Sequence, residues 1–170
     1  MNLRETILAE HSKANCTKIV NWIGSNQQRF DELVKLFLYD KEYRVIQRAG
    51  WPLSEVVMKH PLLIKKHLGK ILNYVNTTGL HNAVKRNSIR LLQNLKIPRK
   101  FHGQVMNLCF DYILDPTEKI AVKAFSLTVL RNLSQLYPEI KQELKTIIED
   151  RWEFETAAFH SRAKKILKEI

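Results

Sequence analysis

A repeat of about 38 residues is the feature that most restricts how this chain can fold. Four segments superimpose without gaps, and each has four aligned positions separated by 4, 4 and 3 residues. The second of these positions is always Ala or Ser, and the other three are apolar. The sets are Val45, Ala49, Leu53 and Val56; Val84, Ser88, Leu92 and Leu95; Val122, Ser126, Leu130 and Leu133; and Phe159, Ala163, Leu167 and Ile170.

Each set forms one stripe along a predicted α-helix. At ~100° per residue the four side chains lie on the same side, which is the pattern of a helix that buries one face. The small second residue allows a neighbouring helix to approach closely. Another helical pattern precedes each stripe and has an apolar residue twelve positions before it, at Leu33, Leu72, Phe110 and Ile147. Each repeat is therefore predicted to be a pair of helices.

The repeats account for most of the chain. A length of 170 residues suits one domain, and Pro61, Pro98 and Pro138 stand before the first helix of the later three repeats, where proline is tolerated. We predict an all-α fold, an α-solenoid of about four to five helix pairs, in one domain spanning residues 1–170. Residues 1–24 are expected to be capping helices, and residues from about 26 to 170 four helix pairs.

The turn before the second helix resembles that of the HEAT family, an armadillo-type group of helical repeats. Its unit has an Asp in this turn and a Val-Arg pair near the start of the second helix. Asp40 stands five residues before Val45, and Val84-Lys85 and Val122-Lys123 match the Val-Arg pair with lysine in place of arginine. The resemblance implies that the second helices line a concave binding surface. It indicates an architecture rather than an activity.

Positive charge is concentrated in the middle of the chain. The formal net charge is +11, and residues 41–100 contain 13 Lys and Arg against 2 acidic residues, which equals the whole excess. No acidic residue occurs between Glu55 and Asp111. Such a region attracts phosphate backbones or acidic protein surfaces, although basic residues on amphipathic helices are often only their solvated side.

Candidate binding residues follow from the helix stripe. Positions two, six and nine residues after its start lie opposite the buried face: Gln47, Trp51 and Ser54; Arg86, Arg90 and Gln93; and Ser161, Lys165 and Lys168. Arginines beside an exposed aromatic ring can hold phosphates and stack on a base. We therefore select as candidates for binding an anion, a nucleic acid or an acidic partner Arg86, Arg90, Lys85, Trp51, Arg48, Lys65 and Lys66.

The sequence Gly50-Trp51-Pro52 falls inside a predicted second helix. Proline removes one backbone hydrogen bond, so we expect these residues to interrupt and kink the helix. The kink either fits the curvature of the solenoid or presents Trp51 to a ligand.

Known catalytic and metal-binding patterns are missing from the sequence. It contains no phosphate-binding loop, zinc-protease motif or nucleophile elbow, so no catalytic residue, metal or cofactor is predicted. Cys16 and Cys109 are far apart and are expected to be reduced and buried. Glu149, Asp150, Glu153 and Glu155 read as solvated loop charges. Without a signal sequence or an apolar run of ~20 residues, we expect a soluble, cytoplasmic protein.

Two functions fit these features. The first is a non-enzymatic scaffold for protein interactions, whose basic surface favours a partner with an acidic segment. The second is a nucleic-acid-binding protein similar in form to HEAT-like DNA alkylation-repair glycosylases. The glycosylase activity itself is not implied, because Trp22, Trp51 and Trp152 lie in different parts of the repeat array and form no Trp-Asp motif.

Overall fold

A computed structural model describes residues 1–77, 80 and 82–170. Ten α-helices and no strands occur in this part of the chain, so the predicted all-α class is confirmed. The chain divides into two compact units, unit 1 (Met1–Leu95) and unit 2 (Lys96–Ile170).

Unit 1 consists of three successive helix pairs. The first is α1 (Leu3–Ala9) with α2 (Lys13–Ile23), the second α3 (Gln27–Tyr39) with α4 (Tyr43–Lys59), and the third α5 (Leu68–Val75) with α6 (Asn82–Leu92). Helix α4 is central, because it packs against α1, α2, α3 and α6. The second helices α2, α4 and α6 are therefore neighbours in sequence order, as in a stack of repeats.

The first three helices have polar caps. The side chains of Asn2, Ser12 and Asn26 each accept a hydrogen bond from a backbone N–H in the first turn, at 3.3, 3.1 and 3.0 Å. Helix α2 ends at Gly24, whose φ of 50° is a conformation that favours glycine and whose N–H donates to the Val20 carbonyl. Sequence-local signals thus fix these helix boundaries.

The small-residue column packs as predicted. Ala49, Ser88, Ser126 and Ala163 are all almost completely buried. Beside Ala49, Gly50 lets α6 come close to α4, because a Cβ built on Gly50 would lie 2.1 Å from the Asn87 side-chain nitrogen. The predicted interruption at residues 50–52 is wrong, since α4 continues through the buried Pro52 to Lys59.

Unit 2 contains two further helix pairs and two short 3-10 turns. A turn at Arg99–Phe101 leads into α7 (His102–Leu114), which pairs with α8 (Ile120–Ser134). Helix α9 (Ile140–Arg151) ends in a second turn at Trp152–Phe154 and is followed by α10 (Ala157–Leu167). Helix α8 packs against α7, α9 and α10, so it has the central position that α4 has in unit 1.

The predicted register is wrong at the ends of two helices. Leu95 lies beyond α6 and is only half-buried, and Ile170 lies beyond α10. In the last pair Ile166 is buried in place of Leu167, and Ile148 in place of Ile147. The last stripe position therefore falls outside the helix in α6 and α10. In the last pair the buried position is also shifted by one residue.

Polar contacts recur at the spacing of one repeat. In unit 1 the Arg4 guanidinium donates to Asp40 at 2.8 Å across 36 residues, and Arg48 donates to the Leu8 carbonyl at 2.6 Å across 40. In unit 2 His102 lies 2.9 Å from the Tyr137 hydroxyl across 35 residues. These contacts join consecutive helix pairs to one another.

Carboxylates stabilise two turns of unit 2. In the turn before α8, the Asp115 carboxylate accepts from the backbone N–H and the hydroxyl of Thr117, at 2.8 and 2.7 Å. Glu155 is not a solvated loop charge, because its side chain is 5% exposed and contacts Lys123 and Arg151. The residue types of Asn76-Thr77-Thr78-Gly79 predict a further turn, of which Thr78 and Gly79 lie outside the described residues.

Candidate binding surface

The exposed and half-buried positions of the three second helices of unit 1 form the surface that we call the α2–α4–α6 face. Helix α4 packs between α2 and α6, so solvent-exposed positions on these helices lie side by side. The face contains four cations, one indole ring and one carboxylate, namely Lys13, Lys59, Arg86, Arg90, Trp51 and Glu55.

Trp51 lies near the centre of this face and is half-buried. Its indole N–H donates to the Glu55 carboxylate at 3.3 Å, and the His11 ring packs edge-on against the indole with 5.6 Å between ring centroids. These two contacts hold the indole in one orientation. An oriented, partly exposed tryptophan is a feature that binding sites commonly use.

Arg86 and Arg90 come from adjacent turns of α6. Asn87 lies between them in the sequence and packs against Gly50, the residue before Trp51. Among the described residues, neither arginine has a side-chain hydrogen bond or ion pair within the chain, and Arg90 is exposed. Their guanidinium groups therefore remain available to an external anion.

A groove of about 80 Å³ opens between α2 and α4. Lys13, Cys16, Thr17 and Val20 line it from α2, and Trp51, Glu55 and Lys59 line it from α4. Val20 and Cys16 are buried, whereas Lys13, Thr17 and Lys59 are exposed. The groove thus has an apolar interior and a positively charged rim.

The electrostatic environment of Cys16 links all three helices. Burial raises the pKa of its thiol to about 11, and the negative charge of Glu55 raises it further. The positive charges of Arg90 and Lys59 act in the opposite direction. Charges on α4 and α6 therefore reach the groove, and the thiol stays protonated at neutral pH.

The structure separates the predicted site residues into two groups. Trp51 lies on α4, and Arg86 and Arg90 lie on α6, which packs against α4. Arg48 reaches back to the carbonyl of Leu8 in the last turn of α1, although it also lines a smaller depression next to Trp51. Lys85, on α6, is half-buried and also has a contact partner.

Lys65 and Lys66 lie elsewhere, in the segment of turns that precedes α5. This segment packs on α3, where Gln27 donates to the Leu63 carbonyl at 3.1 Å. Lys66 pairs with Asp31 at 2.5 Å, and His67 contacts the same carboxylate at 2.6 Å. Part of the basic sequence region therefore stabilises the contact between α3 and the segment before α5.

Sequence reasoning missed Lys13, Glu55 and Lys59 as members of the site. Lys13 lies in the segment that was expected to be a cap, and nothing in the repeat register relates it to Trp51. Glu55 and Lys59 follow Trp51 at helical spacing, so extending the face of Trp51 by two more turns would have found them. Ser54, expected on this face, is buried and its hydroxyl donates to the Gly50 carbonyl at 3.0 Å.

The cysteines agree with the sequence analysis. Cys16 and Cys109 are both free and buried, and burial raises the pKa of Cys109 to about 12. In the described part of the chain, no group of three or more His, Cys, Asp or Glu side chains is arranged to hold a metal ion. Within the same residues, no helix combines the length and hydrophobicity that crossing a bilayer requires.

Helix pairs, a buried small-residue column and contacts that recur once per repeat define an all-α helical-repeat protein of the α-solenoid class. A family model described as a HEAT repeat domain matches residues 3–170. The chain therefore belongs to the HEAT repeat family, as its sequence indicated. No curated protein and no solved structure matches it.

Proposed function

We propose that this chain is a non-enzymatic interaction module that binds an acidic segment of a protein partner on the α2–α4–α6 face. HEAT repeats commonly act as scaffolds for such interactions, and charge complementarity selects among partners. The observation that carries the proposal is the pair Arg86 and Arg90. Both arginines lie on α6, the helix that packs against α4 with its Trp51, and neither has an internal ion-pair partner among the described residues.

Nucleic-acid binding is a second candidate, favoured by the same arginines together with the half-exposed indole. Arginine binds phosphate groups, and a base can stack on Trp51. The two candidates differ in salt dependence. Release of several counterions from DNA would give a linear fall of log affinity with log salt and a slope of several units.

The test uses a fluorescein-labelled decapeptide of alternating Glu and Ser, with fluorescence anisotropy at low salt as the readout. A double charge reversal, Arg86→Glu with Arg90→Glu, should weaken binding by about tenfold or more, which corresponds to ~1.4 kcal/mol. The matched control is Lys35→Glu with Lys65→Glu. It changes the net charge by the same amount on the exposed surface of α3 and the segment before α5.

Equal losses in the two double variants would contradict the proposal, because they would mean that net charge alone drives binding. A labelled duplex DNA of the same total charge is the competitor ligand. If it binds more tightly than the peptide, with a salt slope of several units, the nucleic-acid candidate is correct.

A further inference from the structure

The groove between α2 and α4 has the size and surface of a site for a single side chain. Its volume of about 80 Å³ is well below the ~300 to 1,000 Å³ of sites that enclose a whole small ligand, so it has room for no more than one side chain. Val20 and the indole of Trp51 provide apolar surface, and the protonated Cys16 thiol is a further weakly polar group. An aromatic side chain buried here would gain both contact area and packing against the indole.

Positive charge surrounds the groove on two sides. Lys13 lies on the α2 rim and Lys59 on the α4 rim, and the charge of Arg90 reaches Cys16 inside the groove. Against these three cations stands one carboxylate, Glu55, which the Trp51 indole N–H holds. The net positive rim favours a ligand that carries carboxylates next to its apolar part.

We propose that the groove between α2 and α4 anchors one aromatic side chain of the partner, while carboxylates that flank it pair with Lys13 and Lys59. This inference rests on the proposed function, since it defines which acidic segment the α2–α4–α6 face prefers. Trp51 is a positioning and contact residue here, and Glu55 fixes the indole.

Glu55 favours a peptide over a nucleic acid as the occupant. Its carboxylate lines the groove and can accept a hydrogen bond from a backbone N–H of a bound peptide. A phosphodiester group has no N–H to donate and would be repelled by the same carboxylate. An acidic peptide therefore complements both the lysines and Glu55.

The test compares two labelled decapeptides on the full chain. One alternates Glu and Ser, and the other has Phe in place of a central Ser. The Phe peptide should bind about tenfold more tightly, because burying one aromatic side chain contributes more than the ~1.4 kcal/mol that this factor requires. A short oligothymidylate of the same charge is the third ligand.

Two variants probe the groove itself. Trp51→Ala removes part of the groove wall and should abolish the advantage of the Phe peptide over the Glu-Ser peptide. Thr17→Phe fills the groove from an exposed position on α2 and should have the same effect without removing a half-buried side chain. Its matched control is Thr146→Phe, at an exposed position on α9 of unit 2, which should leave the advantage intact.

The outcomes separate this inference from the proposed function. Equal binding of the two peptides overturns the aromatic anchor but leaves the acidic partner. No binding of either peptide at low salt overturns both. Oligothymidylate that binds more tightly than the Phe peptide, and is weakened by Thr17→Phe, shows that the groove takes a base instead. Loss of the Phe advantage in Thr17→Phe alone, and not in Thr146→Phe, supports the anchor.

Discussion

Unit 1 carries 15 Lys and Arg against 7 acidic residues, whereas unit 2 carries 13 against 10. The units also differ in where these charges lie. Unit 2 buries an ion pair between Lys123 and Glu155 at 2.6 Å, with exposed fractions of 3% and 5%, and Arg151 contacts the same carboxylate at 2.9 Å. In unit 1 the cations Lys13, Lys59 and Arg90 are exposed to solvent.

The difference shows that the same repeat uses charge for two purposes. In unit 2 a buried carboxylate joins the start of α8 to the end of α9, so the charges contribute to the packing of consecutive helix pairs. In unit 1 the Arg4–Asp40 ion pair also joins consecutive pairs, but Lys13, Lys59 and Arg90 stay on the surface. Excess charge without an internal partner is a feature of interaction surfaces.

The largest expected effect concerns the buried ion pair of unit 2. Replacing Glu155 by Gln leaves the charges of Lys123 and Arg151 without a counter-ion, and should lower the free energy of unfolding by ~3 kcal/mol or more. Urea denaturation monitored by circular dichroism measures this loss. The control Glu153→Gln changes an exposed carboxylate two residues away and should cost less than ~0.5 kcal/mol. Similar stabilities of the two variants would remove the contrast between the units.

The small-residue column tests whether both units share one packing plan. Ser126 is completely buried in α8, so Ser126→Leu should overpack the column and destabilise the protein by ~1 to 3 kcal/mol. Ser161→Leu, on the exposed side of α10, is the matched substitution and should be close to neutral. Thermal denaturation of the two variants gives the comparison. An unchanged melting temperature for Ser126→Leu would refute the predicted register.

Two helical glycines, one in each unit, should respond in opposite directions to the same substitution. In Gly50→Ala the new Cβ would clash with the side chain of Asn87, so we expect a loss of ~1 kcal/mol or more despite the higher helix propensity of alanine. In Gly103→Ala no atom lies within 4 Å of the new Cβ, so a gain of up to ~1 kcal/mol is expected. Denaturant midpoints of the two variants measure both signs. Stabilisation by Gly50→Ala would show that α4 and α6 are not in close contact there.

The smallest effect concerns Asp31, the acidic partner of Lys66 in unit 1. Partial burial raises its pKa, but hydrogen bonds from Lys66, Gln27 and His67 outweigh burial and lower the pKa to about 2. Because the folded pKa is below the ordinary value of 3.8, the stabilisation is complete above that value and is lost as the pH falls towards 2. Asp31 is one-third exposed, so solvent screening limits the effect to less than ~1 kcal/mol.

Stability measured between pH 5 and pH 2 tests this prediction, because this range includes both the ordinary pKa of 3.8 and the lowered pKa of about 2. Asp31→Asn should flatten the pH dependence in the acid range, whereas the neighbouring Glu32→Gln, at an exposed position on α3, should leave it unchanged. Identical pH profiles for Asp31→Asn and the wild type would mean that the contact between α3 and the segment before α5 is not ionic.

The fold could be predicted because its main determinants are periodic. Ala49, Ser88, Ser126 and Ala163 share one spacing and one environment, and the helix pairs follow from it. The register failed at the end of the array, where a helix packs against fewer neighbours and a rotation of one residue has little cost. Helix α4 runs through Pro52, as the stripe from Val45 to Val56 predicts, because the packing of the buried Pro52 and Gly50 outweighs the local helix-breaking tendency.

The site could be predicted only in part. Arg86, Arg90 and Trp51 were found because they stand opposite the buried stripe. Lys13 comes from a helix outside the four aligned segments, so its place beside Trp51 depends on how α2 packs against α4. Sequence spacing also does not show that Lys66 forms an ion pair within the chain, because its partner Asp31 lies 35 residues earlier on another helix.

Backbone amide NMR during titration with the Glu-Ser decapeptide tests the central claim most directly. The account predicts that shifts concentrate on the α2–α4–α6 face, in amides around Lys13, Trp51, Lys59 and Arg90, and that α3 and the segment at residues 61–67 remain unchanged. Shifts spread evenly over all exposed lysines and arginines, or concentrated around Lys35 and Lys65, would contradict it.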